Sequence, residues 1–183
     1  GTDVDSGEAI DVLYSPSGST MVTPLTTLVA EGADFSSTFS NEIDVLTYNP
    51  IEALESDPNS QDAAQLVAVG QQVLAVLVSS AEVESTIAGS DFENAFTNSV
   101  KSLVSSESGV GVQDLIVLNE LDDEGTESLT NNLETFLSNR ITSAYTDIGL
   151  TPDTATLNGM SESIGASLGE SLGRINADAV IEG

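Results

Sequence analysis

The chain has 183 residues, 39% of them hydrophobic, enough to bury the core of one compact domain. Thirty acidic residues face three basic ones (Lys101, Arg140, Arg174), for a formal net charge of −27. Affinity for nucleic acid and for anionic membranes comes largely from Lys and Arg, so this balance excludes both as partners and favours cations or a basic surface. Histidine and cysteine are absent, which removes imidazole bases, Ser-His-Asp triads, thiol nucleophiles, disulfides and thiolate metal sites.

Residues 1–23 form a distinct N-terminal segment. Gly1-Thr2-Asp3-Val4-Asp5-Ser6-Gly7 is turn chemistry. Val12-Leu13-Tyr14 and Thr20-Met21-Val22 are short strand candidates either side of the turn Ser15-Pro16-Ser17-Gly18-Ser19, so a small β-hairpin or extended segment is expected here. Residues 24–183 read as a helical domain, giving an all-α multi-helix bundle with a small β element at its start. The chain opens at Gly1 without Met or a signal peptide, as a processed product or excised fragment would.

Thr23-Pro24 is a helix start, with Thr as N-cap and Pro in the first turn; Gly32 ends that helix after Glu31. A second helix is expected from Asp34 to about Leu46. Asn49-Pro50 caps a short one over Ile51 to Glu55, and Asp57-Pro58-Asn59-Ser60 opens a long one from about Gln61 to Val83. Leu66, Val69, Val73, Val76 and Leu77 form a stripe at helical spacing, widened by Ala63, Ala68 and Ala75, which marks this helix as central. Its most apolar stretch, Leu66 to Val78, is interrupted by Gly70, Gln71 and Gln72, short of the roughly 18 apolar residues of a membrane span, so no membrane insertion is expected.

Ser90 with Glu93 three residues on has the form of a capping box for a helix to about Ser106, with Phe92, Phe96, Val100, Leu103 and Val104 inward. A shorter helix is expected over Val112 to Leu121. Thr126 to Ile148 presents Leu129, Leu133, Leu137, Ile141, Ala144 and Ile148 on one face, and Gly149 ends it. Thr151-Pro152-Asp153 starts the last segment, which aligns Leu157, Met160, Ile164, Leu168, Leu172 and Ile175 and runs on to Ala179.

The stretch Gly1 to Gly7, followed by Ser15-Pro16-Ser17-Gly18-Ser19-Thr20-Met21-Val22-Thr23-Pro24-Leu25-Thr26-Thr27-Leu28-Val29, resembles a unit of large secreted, adhesin-like surface proteins of marine bacteria and cyanobacteria, many of them calcium-dependent. Tyr48-Asn49-Pro50-Ile51-Glu52-Ala53-Leu54 and Asp57-Pro58 are similar to its continuation. The resemblance covers roughly the first 80 residues, is sharpest at Val22 to Val29, and implies an extracellular or cell-surface setting.

Asp3, Asp5 and Asp11, with Gly7 for the turn and Glu8 nearby, are candidate calcium ligands, since calcium takes oxygen donors at alternate positions. An EF-hand frame starting at Asp3 fails, because it puts Gly7 at its fifth position and Tyr14 at its twelfth; a different loop, or a solvated acidic turn, remains open. Asp122-Asp123-Glu124 with Glu127 is the densest acidic cluster and reads as a helix N-terminus stabilised by the macrodipole; Asp57, Asn59 and Asp62 read likewise. Gly165, Gly169 and Gly173 lie four apart in the last helix, each costing about 1 kcal/mol against Ala, so close helix packing or a subunit contact should offset them. Arg140 and Arg174 are expected in salt bridges.

No motif points to catalysis. Gly159-Met160-Ser161-Glu162-Ser163 lacks the last Gly of a nucleophile elbow, and Val100-Lys101-Ser102 has no Gly-rich loop before it to make a P-loop. Paired carboxylates for hydrolysis remain open among so many acids, although a carbohydrate cleft without Trp would be unusual. The reading is a non-enzymatic structural or adhesive building block of a bacterial cell surface, stabilised by calcium, with like subunits or other surface proteins and divalent cations as partners. The alternative is a soluble helical binding module with an internal apolar pocket.

Overall fold

The computed structural model describes residues 12–40 and 43–182, and these hold seven α-helices and no β-strand. In chain order they are α1 (Pro24–Ala30), α2 (Pro50–Ser56), α3 (Gln61–Ala88), α4 (Phe92–Ser105), α5 (Asp123–Asp147), α6 (Thr154–Arg174) and α7 (Ala177–Glu182). The all-helical class is thus as expected. The N-terminal hairpin is not found: over residues 12–23 the turn forms, with Ser19 N donating to Pro16 O at 3.2 Å, but the two arms do not pair. Each finds its partner on the bundle instead. Tyr14 N donates to the Thr27 hydroxyl (3.0 Å), which donates back to Tyr14 O (2.8 Å), and Thr20 N donates to Leu46 O (2.9 Å).

Local chemistry sets the helix starts. Thr23 and Thr26 cap each other reciprocally at α1: Thr26 N donates to the Thr23 hydroxyl at 3.1 Å and Thr23 N to the Thr26 hydroxyl at 2.8 Å. Asn49, Ser60, Asp122 and Asp153 cap α2, α3, α5 and α6, each accepting from a backbone N–H of the first turn. At α4 the cap is Asp91, whose Oδ1 accepts from Glu93 N at 3.0 Å. Ser90, the residue expected in that role, lies one position outside, its hydroxyl buried without a protein partner.

Two expected helices do not form over the described residues. Residues 34–40 and 43–46 form turns, because short polar side chains compete for the backbone: Asp34 Oδ1 accepts from Ser36 N (2.8 Å) and Asp44 Oδ1 from Leu46 N (3.0 Å). Phe35 and Phe39 still reach the core, ring centroids 6.0 Å apart, and it is their four-residue spacing that imitated a helix. Over 112–121 only one turn of 3-10 helix forms (Val112–Asp114), after which the chain runs irregularly with Leu115 and Val117 buried. Its polar backbone is satisfied by a side chain. Gln72 of α3, fully buried, accepts from Val117 N (2.7 Å) and donates to Val117 O (2.8 Å) and to Ile175 O.

α3 is the axis. It packs against α1, α2, α4, α5 and α7, and its 28 residues make it about 42 Å long. By length and composition it is apolar enough to cross a membrane, with a mean hydropathy of 1.6 over its best window, despite the interrupting Gly70, Gln71 and Gln72. Half of that window is buried inside the bundle, where the stripe read from the sequence meets Phe96, Leu103, Leu133, Phe136 and Leu137 from α4 and α5. α5 and α6 form an antiparallel pair after the Gly149 turn (φ +73°). Ile148, expected on the inward face of α5, is instead its C-cap beyond the last helical turn and the one residue of that stripe left exposed. A Cβ added at Gly165 would lie 2.7 Å from Glu134 Cγ and 3.2 Å from Glu134 N, and one at Gly169 2.7 Å from Thr130 Oγ1. Close packing within the molecule therefore accounts for those two glycines. Gly173 has nothing within 4 Å.

Candidate functional site

The candidate calcium ligands Asp3, Asp5 and Asp11 lie outside the described residues. Among the described residues no group of three or more acidic side chains converges as a metal site would require. The acidic cluster is helix-start chemistry: Asp122 caps α5 through Gly125 N (2.8 Å), and Asp123 and Glu124 occupy its first turn. Asp57 accepts from Asn59 N and Asp62 from the Ser40 hydroxyl, each at 3.1 Å.

Both arginines are in ion pairs. Arg174 pairs with Glu170 one turn back on α6, both side chains exposed. Arg140 pairs with Glu84 of α3 in the interior, the two residues 5% and 1% exposed. Asn98 of α4 donates to the second oxygen of Glu84 at 2.8 Å, so three helices meet on one carboxylate. Arg140 Nε and the Ser102 hydroxyl are buried nearby without a protein partner, each a cost of about 1–3 kcal/mol. Sequence reading assigned Arg140 a salt bridge but did not identify Glu84. The available signal was position: Glu84 continues the Val73, Leu77, Ser80 register on the inward face of α3.

A second buried-edge pair ties the N-terminal arm down. The Tyr14 hydroxyl donates to Glu31 Oε1 at 2.7 Å, and burial, followed by that carboxylate, pushes the phenol well above the usual tyrosine range.

An apolar groove of about 450 Å³ opens on the surface. Met21 and Val22 of the N-terminal arm and Leu25 of α1 form one wall; Val45, Pro50 and Ile51 form the second. The floor is the outward face of α3, where Val67, Gly70, Gln71 and Leu74 lie over two turns, with buried Leu66 at its inner edge. None of the lining residues is charged. Val22 and Ile51 are 47% and 58% exposed, high values for large apolar side chains. The polar groups at the rim are mostly engaged, Thr23 and Asn49 as helix caps. Beyond Val67 and Gln71 a smaller groove of about 340 Å³ continues toward Arg174, Ile175, Ala179 and Val180. The groove is open to solvent and not enclosed within the bundle.

No protein-family model, curated protein or solved structure matches this chain.

Proposed function

We propose that this chain is a non-enzymatic structural or adhesive building block of a bacterial cell surface, working outside the cell and stabilised by calcium. Its setting would be a large adhesin-like protein, a surface layer or a filament, with like subunits or other surface proteins as neighbours. Charge is the observation that supports this most: −27 spread over a helical body whose two arginines are already paired with Glu84 and Glu170. Such a surface gathers cations and repels copies of itself until they are screened or bridged. The test is a thermal melt in EDTA, in millimolar calcium, and in sodium matched for ionic strength. Calcium should raise Tm well beyond sodium, by mass action on the folded state, and Asp3, Asp5 or Asp11→Asn should remove the difference. Equal effects of calcium and matched sodium would reduce the acidity to screened charge and end the calcium proposal.

The groove favours a second reading, a helical module that binds an apolar ligand. Its volume and lining suit one, since small-molecule sites are concave, mostly apolar and run to about 300–1,000 Å³. A native mass spectrum of the protein from its own source should then show a retained apolar molecule, lost on substitution in the groove.

A further inference from the structure

From Ala63 to Ala81 no residue of α3 is charged, in a chain where acids outnumber bases ten to one. The inward half of that stretch belongs to the core. The outward half, Val67, Gly70, Gln71 and Leu74, forms the floor of the groove, so a neutral apolar strip lies open on a strongly anionic body. Solvent-facing positions in this protein otherwise carry carboxylates freely; Glu52 and Glu55 are exposed on α2, the latter one turn from groove-lining Ile51, and Glu82 is exposed two turns beyond Leu74. The groove is therefore an uncharged slot whose rim on the α2 side carries Glu52 and Glu55, beside Ile51.

We infer that this groove takes an amphipathic helix of another chain, its apolar face on Val67, Gly70 and Leu74 and its Lys or Arg flanks against the acids of the rim. The inference rests on the reading of the groove as a binding site and names its occupant. Three observations select it. A Cβ at Gly70 would meet nothing within 4 Å, so the centre of the floor is open and allows a helix backbone to come close between the side chains one turn either side. The slot is walled by α1 and α2 and floored by α3, the arrangement that receives an apolar helix face. Charge decides the flanks: an anionic lipid finds no cation among the lining residues, Arg174 at the edge of the smaller groove being already paired with Glu170, and a second copy brings another −27, whereas a basic segment is attracted at long range.

The experiment uses the full chain and a synthetic peptide of about four helical turns, Leu on one face and Lys on the other. Its control carries Ser in place of every Leu at the same charge. Calorimetry in about 150 mM salt should find the Leu/Lys peptide at least about tenfold tighter than Ser/Lys. Gly70→Leu puts its Cβ in open space and its side chain over the floor, and should keep or raise Tm while erasing that tenfold difference; Ile51→Glu, at an exposed position, serves the same purpose should Gly70→Leu not fold. Equal affinity of the two peptides, or a difference that survives both substitutions, would reduce the effect to non-specific charge attraction and overturn the inference. A neutral long-chain alcohol separates the two levels. If the alcohol binds and Gly70→Leu blocks it while the Leu/Lys peptide shows no advantage, the groove is a small-molecule site and the helix partner is wrong. If neither binds, the reading of the groove as a site falls as well. A dimer by sedimentation that Gly70→Leu abolishes would make the occupant a second copy and likewise overturn the inference.

Discussion

Glu84 and Arg140 show how a chain with so few cations spends one of them in its interior. Removing either partner strands the other in a medium that solvates charge poorly, whereas replacing both leaves nothing to solvate. Arg140→Leu or Glu84→Leu alone should therefore cost about 3–5 kcal/mol in chemical denaturation. The double variant should lose clearly less than the two singles added together, with a coupling of at least about 1 kcal/mol. Additive losses would mean that the pair contributes packing and no charge interaction. Tyr14 gives a pH test. Its folded pKa is raised, so its contribution is fully present below the unfolded value of about 10 and is lost as pH rises through the folded one. Urea melts between about pH 9 and 12 should fall more steeply for the wild type than for Tyr14→Phe. Parallel curves would detach Tyr14 from alkaline unfolding.

At the scale of elements, the α5–α6 seam makes graded predictions from residues of one type. Gly173→Ala gains helix propensity with no neighbour to displace and should stabilise by about 0.5–1 kcal/mol. Gly169→Ala crowds only the Thr130 hydroxyl, whose turning aside costs its bond to Thr126 O, and this should about cancel the gain in helix propensity, leaving the variant near neutral. Gly165→Ala meets the Glu134 backbone as well as its Cγ, so the helices must part, and it should destabilise. Thermal melts of the three single variants check the order; a uniform gain would mean that the seam is looser than these distances state. Helices with an end marked by Thr, Asn, Pro or Gly (α1, α2, α3 and α5, and the start of α6) were legible in the sequence within a few residues, since the caps act locally. The run expected on to Ala179 instead breaks at Ile175, which is extended, and resumes as α7. The segments 34–46 and 112–121 were not legible. Their apolar residues fit a helix and an irregular chain equally, and what decides is Asp34 and Asp44 holding backbone N–H groups in one case and Gln72 reaching across the core in the other. The groove was invisible for a related reason: its walls come from residues 21–25, 45–51 and 66–74, and no local pattern joins them.

For the whole molecule, net charge predicts a dependence on salt that no single residue carries. Raising sodium chloride from about 10 mM to 150 mM shortens the screening length from about 30 Å to 8 Å, from the size of the molecule to that of a few side chains. Self-repulsion should relax accordingly, and Tm should climb over this range and then level off. A flat profile would show that the carboxylates are too well solvated to strain the fold.

The Gln72 amide also has a kinetic consequence. Its partners Val117 and Ile175 lie 45 and 103 positions further along the chain. The α5–α6 hairpin can form from neighbours in sequence, whereas the Gln72 bonds require nearly the whole chain to have closed on itself. α7, at six residues too short to persist alone, depends on that closure. The amide proton of Val117, deep in the middle of the sequence, thus becomes a clock for events at its far end. Its exchange with solvent should follow the opening of the C-terminal segment and not the fraying of the turns beside it.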